Sequence, residues 1–194
     1  NQVKAATNDP EIKGTFMPLD TGGGETAGMF AMVEELASLS AAEGGKPIYA
    51  YIDERACSAG YVIASACDKI YGRQECMGGS IAALMNVIDK SKALEKMGIE
   101  PHIIRAKWAD LKARGSGIEP IDPETLDRLG SIVDEISEQI VEFVAAMRGI
   151  KPQSIRDMRG DVFTGTALLK HGLIDDILSE REAWAALEEA ARSN

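Results

Sequence analysis

Short apolar runs alternating with amphipathic stretches set the pattern of the chain. Lys13 to Leu19 reads as a strand, with Pro18 suited to an edge or a strand end. Asp20-Thr21-Gly22-Gly23-Gly24-Glu25 interrupts it, and a helix is expected from about Thr26 to Ala42, with apolar positions at Met29, Met32, Val33, Leu36 and Leu39. Gly44-Gly45 closes that helix. Pro47 to Ile52 predicts a strand leading to Ala56-Cys57-Ser58-Ala59-Gly60-Tyr61 and a small-residue helix after it. Lys69-Ile70-Tyr71 reads as a strand, and Met77 to Ile81 as a second glycine-marked turn. Helix is expected from Asp89 to Met97, strand at His102 to Arg105, and no clear element from Lys107 to Gly117. The clearest periodicity is Pro123 to Arg148, with Pro in its first turn and one apolar stripe from Leu126 to Met147. Helices near Gln153 to Arg159 and Gly165 to His171, a strand at Leu173 to Ile177 and a helix from about Arg181 finish the chain.

Strands alternating with helices predict an α/β layered fold with a largely parallel sheet. The 194 residues, 45% apolar, suit one domain with a sizeable core. Asn1 to Asn8 reads as the end of a helix rather than a natural beginning, so truncation at the N-terminus is expected, with an upstream strand or membrane anchor preceding it.

Charge narrows the function. A net charge of −10 argues against nucleic acid as a partner. Three irregularly spaced cysteines, Cys57, Cys67 and Cys76, form no disulfide framework or metal motif and fit a reducing compartment. His102 and His171 lack ligand spacing, so no zinc is expected.

Ser58 is the first candidate for chemistry. A serine between strand and helix exposes its hydroxyl at a corner, and the following N–H groups favour negative charge. That suits a nucleophile, although serine is also a common helix N-cap. Gly22-Gly23-Gly24 falls at the end of another strand and lets backbone approach a ligand, either as a tight turn or as an oxyanion hole. Its spacing is not that of a phosphate-binding fingerprint. Neither histidine adjoins a glycine-marked loop, which leaves Lys107 and Lys112 as possible bases, with surface lysine the plain alternative.

Four motifs in order add a resemblance. Asp20-Thr21-Gly22-Gly23-Gly24-Glu25 with Gly28, Ala56 to Ile70 around Ser58, Gly79-Ser80-Ile81, and Phe163-Thr164-Gly165 through Gly172-Leu173-Ile174-Asp175 are similar to the motifs of one serine peptidase family. It contains bacterial signal peptide peptidase A and the phage capsid-maturation (prohead) proteases. The resemblance implies a Ser-Lys dyad on a Clp protease/crotonase-like layered α/β fold, one peptidase domain over residues 1–194, and no cofactor or metal. Ser58 is then the nucleophile, Ser80 the hydroxyl that orients the lysine, and backbone N–H groups of Gly23 or Gly24 and of Ala59 the oxyanion hole. Counting back from Glu119-Pro120 places the lysine at Lys112; counting forward from the strand at His102 lands nearer Lys107 or Asp110. Lys112 is preferred because Gly115 and Gly117 can absorb a length change. Gly22 stands where the family has proline, and Ala82 where it has glycine. Cys57 reads as a small buried residue rather than the nucleophile.

The resemblance further implies a polypeptide substrate and a homo-oligomer in the form of a ring, in the cytoplasm of a bacterium or phage-infected host. Membrane association would come only through a missing upstream segment. A non-catalytic assembly module on the same fold is the alternative reading, and a crotonase-type acyl-CoA enzyme has no adenine or pantetheine signature here.

Overall fold

The computed structural model describes residues 2–193. They form two compact units: the chain up to Ala82 together with the chain from Glu138 onward, and the stretch Ala83–Ser137. No linker composition marks either boundary.

The first unit is built on one strand. β2 (Ile48–Cys57) begins with Ile48, Tyr49, Ala50, Tyr51 and Ile52, all buried, as expected of a strand covered on both faces. β1 (Thr15–Thr21) runs parallel along one edge of β2, with a register shift between Leu19 and Thr21. The other edge is shared. β3 (Lys69–Gly72) pairs the first half of β2 and β4 (Met77–Gly79) the last three residues, both parallel. β5 (Val162–Thr164) adds to β4 antiparallel and β6 (Asp176–Ile177) to β3 parallel, giving six strands among the described residues. The sheet is therefore curled, mixed and mostly parallel.

Helices close over it. α1 (Gln2–Asn8) and α2 (Met29–Ser38) flank β1 in sequence; α2 buries Met29, Val33 and Leu36. α3 (Ala59–Ser65) packs on β1 and β2. The C-terminal half of α5 (Pro123–Arg148) contributes Ile140, Val141, Val144 and Ala145 to the core. α6 (Pro152–Arg156), α7 (Gly165–Lys170) and α8 (Glu180–Ser193) complete this unit. Trp184 of α8 meets Phe16 edge-on at 5.1 Å, and Phe16 stacks on Tyr51 at 5.8 Å.

Two carboxylates staple loops to the sheet. Asp68 accepts the N–H groups of Ala41, Ala42 and Ile48 at 2.8–3.1 Å, fixing the turn before β2. Asp175 accepts from Ile70 N–H at 2.8 Å, Arg148 at 3.0 Å and Lys69 at 3.2 Å. The buried Tyr61 hydroxyl donates to Leu173 O at 2.6 Å.

The second unit holds α4 (Ser91–Lys96), a series of turns, and the first half of α5. Asp122 caps α5 by accepting the Thr125 N–H at 2.7 Å. Arg105 forks onto Glu119 and donates to the Lys112 carbonyl. The strand expected at His102 to Arg105 is absent: this stretch has no regular structure and no partner strand. A β-rich tetrapeptide needs a ladder neighbour, and the second unit offers none among its described residues. Conversely Met77–Gly79, read as a turn, is a strand because Ala56 and Phe163 lie on either side of Gly78. The helix expected over Thr26 to Ala42 is shorter, and Ala41–Glu43 forms a separate 3-10 turn.

Burial works against ionisation of Asp175, but the Ile70 N–H, Arg148 and Lys69 outweigh it and hold the carboxyl below its ordinary pKa. A depressed folded pKa gives stability that is complete above about pH 4 and lost as pH falls through the lowered value. Asp175→Asn should therefore lower stability by about 2 kcal/mol at pH 7 and flatten the acid limb of the unfolding profile. Urea denaturation from pH 7 to 3 checks this; an unchanged acid limb would contradict it.

Candidate active site

β2 ends at Cys57 and α3 begins at Ala59, so the chain turns through one residue. That residue, Ser58, has φ 53° and ψ −127°, the geometry of the first central position of a type II′ turn, where glycine is usual. For serine the conformation costs about 1–3 kcal/mol and persists only when its surroundings enforce it. Here they do. Ser58 N–H donates to Gly79 O at 2.9 Å, and Ser58 O accepts from Tyr61 and Val62 at 2.9 and 3.1 Å. Ser58 occupies the N-cap position of α3, yet its hydroxyl makes no cap hydrogen bond. The plain reading of this serine as a side-chain cap fails.

The glycine loop lies directly over the corner. At Gly23, φ is 108°, and a Cβ there would sit 2.7 Å from Ser58 Cβ and 2.9 Å from Cys57 O. Only glycine allows this approach. Gly23 N–H is taken by Thr21 Oγ1 at 3.1 Å. Among the described residues Gly24 N–H and Ala59 N–H have no acceptor, the latter being an open donor at the start of α3.

Ser80 is brought to the same place. It follows Gly79, the register partner of Cys57, so Ser58 and Ser80 are the next residues of two paired parallel strands. Ser80 also has a positive φ, 52°, with its N–H donated to Asp161 O at 2.8 Å. Its hydroxyl, like that of Ser58, has no hydrogen-bond partner among the described residues, and both serines are half-buried. Positive φ at two non-glycine residues on adjacent strand ends is the strain expected at a functional corner.

A cavity of about 290 Å³ opens beside the corner. Thr21, Gly23, Gly24 and Ala59 form its polar backbone side, and Met29, Met32 and Ile63 its apolar side. Cys57 points to no thiolate chemistry: burial, opposed by Arg55, pushes its thiol above the ordinary value. The His171 ring rests on Phe163 at 4.7 Å. No group of three or more His, Cys, Asp and Glu among the described residues is arranged to hold a metal.

Ser58, Ser80, Gly23, Gly24 and Ala59 thus gather in the first unit. Lys107 and Lys112 belong to the second, in turns between α4 and α5, and both side chains are exposed. Thr21 and Met32 were missed by motif reading. Their signal is contact with the loop and cavity, which no spacing encodes.

A curled, mostly parallel sheet with a strained serine at a strand-to-helix corner defines a layered α/β fold. Residues 40–194 match the model of Peptidase family S49, and the chain belongs to that family. The match begins after the glycine loop, so the loop's place at the corner rests on geometry. The chain is 27% identical over 189 residues to the capsid assembly protease C of Escherichia phage lambda, covering 97% of this chain and 42% of that protein. It is 24% identical over 192 residues to the chloroplastic serine protease SPPA of Arabidopsis thaliana, covering 98% and 28%. The chain therefore spans less than half the length of either relative. A solved membrane-bound stomatin-specific protease shares the fold with a TM-score of 0.58 at 16% identity, over 93% of this chain and 72% of that one.

The close approach separates the two glycines. Gly23→Ala should destabilise the protein by about 2 kcal/mol or more, through clash and positive φ. Gly24→Ala, whose methyl group meets nothing within 4 Å, should change stability by less than about 1 kcal/mol. Urea unfolding of both variants checks this, and equal losses would contradict it.

Proposed function

We propose that the chain is a serine peptidase domain that cleaves peptide bonds through an acyl-enzyme on Ser58. One observation carries the reading: a strained, half-buried serine lies beneath the glycine loop, and among the described residues its hydroxyl has no partner and the nearby Gly24 and Ala59 N–H groups have no acceptor. Membership of Peptidase family S49 supports it.

Ser58 Oγ attacks the substrate carbonyl carbon while an uncharged amine takes its proton. The carbonyl oxygen becomes an oxyanion between Gly24 N–H and Ala59 N–H, each such donor worth about 3 kcal/mol of barrier. Gly23 shapes the loop that presents Gly24. As the C–N bond breaks, the base returns its proton to the leaving amine. A water molecule then attacks the Ser58 ester, releases the acid and restores the hydroxyl. We assign the base to Lys112, with Ser80 Oγ orienting its amine. Lys112 is exposed, so in this scheme substrate or a second copy of the chain covers its amine. No cofactor takes part in this scheme.

The cavity of about 290 Å³ beside Ser58 fits a small or medium apolar side chain before the cut bond. Capsid or scaffold protein is the substrate we favour, because the capsid assembly protease of phage lambda aligns with nearly the whole chain. Degradation of signal peptides is the second setting, supported by the putative signal peptide peptidase SppA of Enterococcus faecium, 24% identical over 188 residues. No helix among the described residues is long and apolar enough to cross a membrane. A homo-oligomer is part of the proposal. In the second unit Trp108 is 87% and Ile104 95% exposed, as side chains awaiting a protein surface would be.

Peptide hydrolysis by the wild type, Ser58→Ala, Lys112→Ala and Lys107→Ala tests the scheme. Ser58→Ala and Lys112→Ala should each lose about 10³-fold or more in kcat, and Lys107→Ala little. Full activity in Ser58→Ala would overturn the mechanism; loss in Lys107→Ala alone would move the base.

A further inference from the structure

A second cavity, of about 350 Å³, lies next to the first. Met17 of β1, Leu36 of α2, Leu39 just past its end and Val3 of α1 supply its apolar lining, and the Lys4–Glu35 ion pair, 2.7 Å long, joins α1 to α2 at its edge. Met32 and Ile63 line both cavities. The first cavity touches Gly23, Gly24 and Ala59; the second touches none of them.

Met32 and Ile63 are therefore a shared wall, and their two side chains differ in freedom. Ile63 is β-branched, held in α3 and half-buried. Met32 is 48% exposed on α2, unbranched, with three rotatable side-chain bonds. A rotamer change at Met32 moves the partition without moving backbone. Behind it, the second cavity is apolar on three elements and offers its charges only as an ion pair that satisfies itself.

We propose that the two cavities form one channel for the substrate side chain that precedes the cut bond, divided by Met32, and that Met32 sets how long an apolar side chain is accepted. The ligand class is an extended peptide bearing an unbranched or aromatic apolar residue at that position. Its first carbons fill the cavity beside Ser58, and its end passes Met32 into the space floored by Leu36 and Leu39. The inference rests on the peptidase reading above.

The test uses peptidyl aminocoumarin amides carrying norleucine or 2-aminodecanoic acid before the cleaved bond. Met32→Ala should raise the ratio of kcat/KM, long over short, by about tenfold or more, since each methylene in an apolar pocket discriminates strongly. Met32→Phe should lower it. Adding Leu39→Trp, which fills the far cavity, should return the Met32→Ala ratio towards that of the wild type. An unchanged ratio in Met32→Ala, or a raised ratio that survives Leu39→Trp, overturns the proposal. If the wild type cuts neither peptide, the hydrolase reading fails and binding decides this one. The same two peptides are then titrated against Ser58→Ala and Ser58→Ala/Met32→Ala. A tenfold shift in the ratio of Kd values supports the channel; equal ratios, or no binding, overturn it.

Discussion

The hydrogen bond from Ser58 N–H to Gly79 O is the interaction on which the site depends. It continues the β2–β4 ladder one residue beyond Cys57 and so fixes where the corner falls. α3 pulls from the other side, because the N–H groups of Tyr61 and Val62 both bond Ser58 O. Between a ladder and a helix the residue has no room to relax from φ 53°. The strain, about 1–3 kcal/mol, is small beside the burial of Tyr51, Ile52, Tyr61 and Val62 around it. An apolar core that must form anyway thus holds a serine in a conformation it would not choose.

Several residues of the family-like motifs serve that frame rather than the chemistry. Asp68 ties the turn at Ala41 to the start of β2, and Asp175 ties β3 to α5 through Arg148. Tyr61 anchors α3 to Leu173 from inside the core. Gly60 belongs here as well: a Cβ on it would lie 2.4 Å from Thr21 Cγ2, so α3 and the end of β1 close together only around glycine. Thr21 in turn holds Gly23 N–H. Strand end, helix start and glycine loop are locked by contacts between backbone and very small side chains, which leaves Gly24 and Ala59 as donors with no acceptor among the described residues.

Much of this was legible in the sequence, and the rest was not for physical reasons. The run Ile48 to Ile52 could only be a buried central strand, and Pro123 to Arg148 matched its helix to the residue because its apolar stripe is long and its cap is Asp122. Ser58 and the glycines were visible as breaks between regular elements. The strand at His102 to Arg105 was misread because β-propensity is local while pairing is not. β5 went unread for the converse reason, since Val162–Thr164 is too short to signal itself and exists by pairing with β4. The positive φ of Ser80, the capture of Gly23 N–H by Thr21 and the wall formed by Met32 are properties of packing. The division at Ala83 and Ser137 left no trace in composition, and its second boundary falls inside the continuous periodicity of α5.

The central claim is that the corner presents a reactive oxygen to two backbone donors that await a negative charge. The most direct measurement is a crystal structure of the protein after treatment with a peptidyl phosphonate ester, which mimics the tetrahedral state of acyl transfer. The account predicts a covalent bond from phosphorus to Ser58 Oγ, with one phosphonyl oxygen within hydrogen-bond distance of both Gly24 N and Ala59 N. An unmodified Ser58, or an adduct whose oxygen faces away from both amides, would contradict it.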